Sequence, residues 1–132
     1  MKRLGEIHEF DELVEGTVAA HPDARQVLEA AAGMYRYIDH DGYRIANEFR
    51  RGSTARDGVR LNSAERDRVR SWQRWDRCRE LVQREDDKEF WASFFLNYAD
   101  ALMEGDDHLF DEYRAGFRLQ HLTDLTKLPD CC

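Results

Sequence analysis

No run in this sequence approaches the ~20 consecutive apolar residues that a membrane-spanning helix needs, and the start Met-Lys-Arg-Leu-Gly-Glu places an acidic residue where a signal peptide carries its apolar region. A cytoplasmic protein is the expectation. Only two prolines are present, and at 42% hydrophobic and 36% charged residues the composition is not that of a disordered polar chain. Three cysteines, two of them vicinal (Cys131 and Cys132), do not make a disulfide framework. Cys78 falls in an apolar helical stripe and is expected to be a buried, inert thiol, with residues 128–132 as a flexible tail.

The signatures of catalysis are missing as well. There is no glycine-rich phosphate loop, and the five histidines form no His-x-x-x-His or Glu-x-x-His pair. The serines lack a nucleophile-elbow context, and Cys78 has no base beside it. These absences motivate the expectation of a non-catalytic protein with no cofactor and no resident metal.

What the chain does carry is helical periodicity. With 132 residues it is expected to form a single domain able to bury about two-thirds of its unfolded surface. Ile7, Phe10, Val14 and Val18 predict an amphipathic helix over 5–20, ended by His21-Pro22. Asp23 with Gln26 resembles a capping box for a second helix starting near residue 24. Asn62 with Glu65 starts a third helix, whose apolar set is Val69, Trp72, Trp75, Cys78, Leu81 and Val82. Asp86 with Glu89 caps a fourth, which holds five of the fifteen aromatic residues within 89–98 and is expected to be the core helix. Leu109, Phe110, Tyr113 and Phe117 predict a last helix behind Gly105. The fold class expected is therefore mainly α, a compact bundle of about five helices.

Residues 39–63 read two ways. Asp41-Gly42-Tyr-Arg-Ile45 and Asp57-Gly58-Val-Arg-Leu61 share a pattern in which Asp-Gly precedes alternating residues, a signal for a small β-hairpin between residues 35 and 61. The alternative, which is preferred, is a loop followed by a short helix through Ala46–Arg51.

Charge is unevenly spread: −5 over residues 1–43, +6 over 44–84 and −8 over 85–132. At 100° per residue, Arg66, Arg70, Arg74, Arg77 and Arg84 form a ridge on the third helix. Like charges one turn apart repel, so the ridge needs anions beside it. The chain's own acidic helices, a partner protein or nucleic-acid phosphates could supply them. The acidic stretch Glu104, Asp106, Asp107, Asp111 and Glu112 is expected to engage a basic partner protein. Together these features predict a small acidic adaptor, inhibitor or immunity-type regulator, with a nucleic-acid-contacting subunit as the alternative. Trp72 and Trp75 spread the third helix's apolar surface far enough to suggest a homodimer.

Asp39-His-Asp41-Gly42-Tyr-Arg44-Ile-Ala-Asn-Glu48 resembles the calcium loop of the EF-hand family, with acidic residues at loop positions three and five, a following glycine and a closing glutamate. The resemblance implies Asp39, Asp41 and Glu48 as calcium ligands. Tyr37 stands where that family has its first aspartate, and Arg44 where it has an apolar residue.

Overall fold

The computed structural model describes residues 9–52, 58–84 and 86–103, which form four helices and one three-stranded sheet. The elements are α1 (Phe10–Ala20), α2 (Arg25–Tyr37), β1 (Asp41–Ile45), β2 (Glu48–Arg51), β3 (Val59–Asn62), α3 (Ala64–Val82) and α4 (Lys88–Met103). The chain is mainly α with a small sheet, and it has four helices among the described residues rather than about five. The expected last helix and the expected tail at 128–132 lie outside the described residues.

The helical reading of Ala46–Arg51 is corrected. Ala46 and Asn47 both take positive φ (51° and 65°) and form a two-residue turn from Ile45 to Glu48, and β1 pairs antiparallel with both β2 and β3. Paired positive-φ residues match the right-handed twist of the flanking strands, which is why such turns close tight hairpins. Gly42 is paired with Arg51 on one side and Leu61 on the other, so all three point to the same face. Arg51 and Leu61 are buried there, which makes this the inner face of the sheet.

The helix starts are also corrected in detail. Ala24, not Asp23, occupies the N-cap of α2, and Asp23 instead accepts a hydrogen bond from Arg77 on α3. On α4 the capping carboxylate is Asp87, which accepts from the backbone N–H groups of Glu89 and Phe90 at 3.1 Å each, rather than Asp86. At α3 the N-cap is Ser63 rather than the expected Asn62, whose Oδ1 accepts from the Ala64 N–H at 3.0 Å in a local turn just ahead of the helix.

The core is centred on α2 and α3, which run antiparallel and bring Leu28, Ala31, Ala32 and Tyr35 into one cluster with Trp75, Cys78 and Val82. The small residues Ala31 and Ala32 let the backbones approach, and Ser71 Oγ donates across the contact to the Ala32 carbonyl at 2.9 Å. Cys78 is the buried thiol expected from its stripe; burial pushes its pKa up to about 12, so it is held protonated.

The α4 helix is not the centre. Of its residues only Phe94 and Ala101 are buried, Trp75 stacks on Tyr98 at 6.1 Å, and Trp72 Nε1 donates to the Ala101 carbonyl at 3.2 Å. Trp72 and Trp75 are consequently buried under α4, not exposed as a dimer face. Among the described residues no helix is long and apolar enough to cross a membrane.

Candidate functional site: a buried charge cluster and an apolar groove

Three of the five ridge arginines find their anions on α1. Arg66 Nη2 donates to Asp11 Oδ2 at 2.7 Å, Arg70 Nη1 lies 3.5 Å from Asp11 Oδ1, and Arg74 Nη2 donates to Glu15 Oε2 at 2.6 Å. Arg77 reaches Asp23 and Glu80. Because α1 runs alongside α3 in the same direction, acids at positions 11 and 15 meet arginines one turn apart. Tyr35 completes the seam, donating to Glu15 Oε1 at 2.7 Å while accepting from Arg70 Nη1 at 3.1 Å. Burial would raise the Glu15 pKa, but the hydrogen bonds from Arg74 and Tyr35 outweigh it and leave the carboxyl below its usual range. Arg84 lies exposed beyond the end of α3. Four of the five ridge arginines thus have their charge met within the fold.

A second cluster, which the sequence reading missed, sits where β2, α1 and the start of α3 meet. Arg51 is buried and grips the buried Asp67 with both arms: Nη1 donates to Oδ2 at 2.8 Å and Nη2 to Oδ1 at 3.0 Å. The same guanidinium also donates to the Asp39 carbonyl at 2.7 Å, Ser63 Oγ at 3.1 Å and Asp11 Oδ1 at 2.8 Å. Asp67 in addition accepts from Arg66 Nη2 at 3.0 Å and Ser63 Oγ at 2.7 Å, and its Oδ2 lies 2.7 Å from His40 Nδ1. Burial would push the Asp67 carboxyl up, yet hydrogen bonds from His40 and Arg51 and the charges of Arg51 and Arg66 hold it well below the usual carboxylate range.

Serine, histidine and aspartate therefore stand together without forming a nucleophilic relay. The Ser63 hydroxyl bonds the Asp67 carboxylate and the His40 carbonyl, not the imidazole. A carboxylate has about four lone-pair sites. With Arg51, Arg66, Ser63 and His40 all on Asp67, none is left for a substrate, and the cluster ties three elements together.

Gly42 supports this cluster from the sheet side. A Cβ there would run into the Phe49 ring and stand 2.5 Å from the Arg50 carbonyl oxygen. The ring that needs the space carries the Arg66 guanidinium 4.5 Å from its centroid, a cation–π contact. Gly42→Ala is expected to cost about 2–3 kcal/mol in urea denaturation, because the clash involves backbone as well as ring. Gly16→Ala, at an α1 position with nothing within 4 Å, is expected to gain about 0.5–1 kcal/mol from helix propensity. Equal effects at the two sites would remove the steric account.

A concave apolar feature lies between α1 and α2. It encloses about 350 Å³ and is walled by Leu13, Thr17 and Val18 on one side and Val27, Ala30 and Met34 on the other. Thr17 presents little polarity, since its hydroxyl donates back to the Leu13 carbonyl at 2.7 Å.

The acidic residues expected to bind a partner, Glu104, Asp106, Asp107, Asp111 and Glu112, lie outside the described residues. The calcium-loop residues are described, and they are spread out. Asp39 Oδ1 accepts from the Asp41 N–H at 3.0 Å, closing a local turn, and the Asp41 carboxylate faces Arg60 and Asn62 at 3.4 Å. Glu48 pairs with Ile45, four residues along β1 from Asp41, or roughly 13 Å at strand rise. Among the described residues no group of three or more His, Cys, Asp or Glu side chains could hold a metal ion. No family model matches the chain, and no curated protein or solved structure matches it either.

Proposed function

We propose that this chain is a non-catalytic protein-binding module, of the adaptor or inhibitor kind, and that its docking face is the groove between α1 and α2. The observation that carries the proposal is the apolar groove itself, with Leu13 70% and Met34 52% exposed at its lips. Large apolar side chains held open at a concave site favour association with another apolar surface. The α2 wall spans residues 26–34, about 12 Å of helix, which suits some two turns of an amphipathic partner helix with anchors near i, i+3 or i+4 and i+7. Glu9 and Glu12 lie exposed on the α1 flank, so a basic border on that partner would be steered toward it.

Selection of helix-forming peptides from a displayed library against the purified chain tests this. Enriched peptides should be amphipathic with Lys or Arg beside the apolar stripe, and should lose at least tenfold in affinity against Leu13→Glu and Met34→Glu. Both changes are at exposed positions and should leave the helical content intact. Binders indifferent to both substitutions, or no enrichment, would overturn the assignment of the groove.

A further inference from the structure

On the opposite side of α2 from the groove, α4 has a second apolar face that no described element covers. Arg25 of α2 lies over the Phe90 ring at 3.7 Å and Arg36 is 3.5 Å from Asp100, so α4 flanks α2 about half a turn round from Val27, Ala31 and Met34. The inner face of α4 is Phe94 and Ala101, with Phe90 and Tyr98 partly buried. Its outer face is Ala92, Phe95, Ala99 and Leu102, with Leu96 and Met103 alongside. Phe95 is 38%, Leu102 48%, Leu96 72% and Met103 76% exposed. The charged residues of α4 are Lys88 and Glu89 in its first turn and Asp100, which faces Arg36 on another side.

We infer that this outer face is the twofold contact of a weak homodimer, two α4 helices packing antiparallel. Three features of the face select this occupant. Ala92, Phe95, Ala99 and Leu102 follow one another at steps of three, four and three, the spacing of a coiled-coil seam. Small and large residues alternate along it. When the helices run antiparallel, Phe95 meets the partner's Ala99 and Ala92 meets the partner's Leu102, so every bulge faces a gap and the seam keeps an even thickness. A parallel pair would set ring on ring and methyl on methyl. Antiparallel packing also opposes the two helix dipoles and brings Lys88, in the first turn, to the carboxyl end of the partner helix, where a cation is favoured. A 16-residue helix is about 24 Å long and at most about 12 Å wide, so the total area covered falls at or below the low end of stable interfaces. The dimer is therefore weak, with a micromolar dissociation constant.

The test is sedimentation velocity of the full chain from about 1 to about 200 μM, where a micromolar dimer passes from mostly monomer to mostly dimer. Phe95→Glu and Ala99→Arg should each remain monomeric throughout, with the wild-type melting temperature at low concentration. Mixed together they should form a heterodimer visible by native mass spectrometry, because residue 95 of one chain faces residue 99 of the other only in the antiparallel register. Leu102→Gln, a milder change, should weaken the dimer at least fivefold should either charged variant fold poorly. A monomeric wild-type chain overturns the inference, and if Ala99→Arg then also lowers the melting temperature, the face is covered within the same molecule. A dimer that persists in all three variants, or single variants that do not recombine, overturns it equally.

Discussion

Arg51→Ala is expected to destabilise the fold by about 3–5 kcal/mol, measured by urea or thermal denaturation. The side chain makes no contribution of the ordinary surface kind. It is 1% exposed, it meets Asp67 through two parallel bonds, and it spans Asp11, Ser63 and the Asp39 carbonyl at once. Removing it leaves the carboxylate of Asp67 without its bidentate partner at a site water does not reach, and the desolvation of that carboxylate is then offset only by Arg66, Ser63 and His40. Arg51→Lys separates charge from shape. An ammonium keeps the positive charge but cannot present a planar fork to two carboxylates and a carbonyl, so a loss of about 1–3 kcal/mol is expected. A lysine variant as stable as wild type would mean that charge alone matters there. Because burying an ion pair is itself costly, Arg51→Met with Asp67→Leu should recover part of what Arg51→Ala loses.

That cluster was illegible in the sequence for a physical reason. An arginine two residues from Phe49 on a short strand breaks the rule that inward positions are apolar, and it is tolerated only because an aspartate 16 residues later, on another element, meets it. Nothing local to Arg51 announces Asp67. The hairpin was obscured similarly, because its turn is Ala46-Asn47, with no glycine to mark the positive φ, while the conspicuous Asp41-Gly42 pair opens a strand. The glycine is there to clear the Phe49 ring. In contrast, α1 to α4 were legible because the 3.6-residue period of apolar residues survives any detail of packing. Their relative placement was less so. The aromatic density of 89–98 identifies an apolar helix but not which neighbours cover it, and α4 turns out to be apolar on two faces with one of them packed. The arginine ridge sits between: its angle on α3 follows from spacing, and the −5 balance of residues 1–43 hints at Asp11 and Glu15, but only the parallel run of α1 along α3 brings them within reach.

Acid should unfold this protein through the same carboxylates. Asp67 and Glu15 both have folded-state pKa values below those of the unfolded chain, because hydrogen bonds from arginine, histidine and tyrosine outweigh the effect of burial. Such groups bind protons more readily when unfolded, so the stability they contribute is fully present above about pH 4 and is lost as pH falls toward their folded values. Each shifted carboxyl contributes a slope of up to about 1.4 kcal/mol per pH unit in that window. Stability measured by urea denaturation at steps from about pH 7 down to about pH 2 should therefore fall steeply below about pH 4. Asp67→Asn isolates one term. Its stability at neutral pH drops, since Arg51 and Arg66 lose their shared carboxylate, but its acid limb should be shallower than wild type by about one proton's worth of slope. Tyr35→Phe acts on the other, removing the phenol that donates to Glu15 Oε1, and should shift the limb to slightly higher pH without changing its steepness. An Asp67→Asn variant that retained the full wild-type slope would show that the acid sensitivity resides elsewhere in the chain, and that the buried cluster holds its charge without setting the pH at which the fold fails.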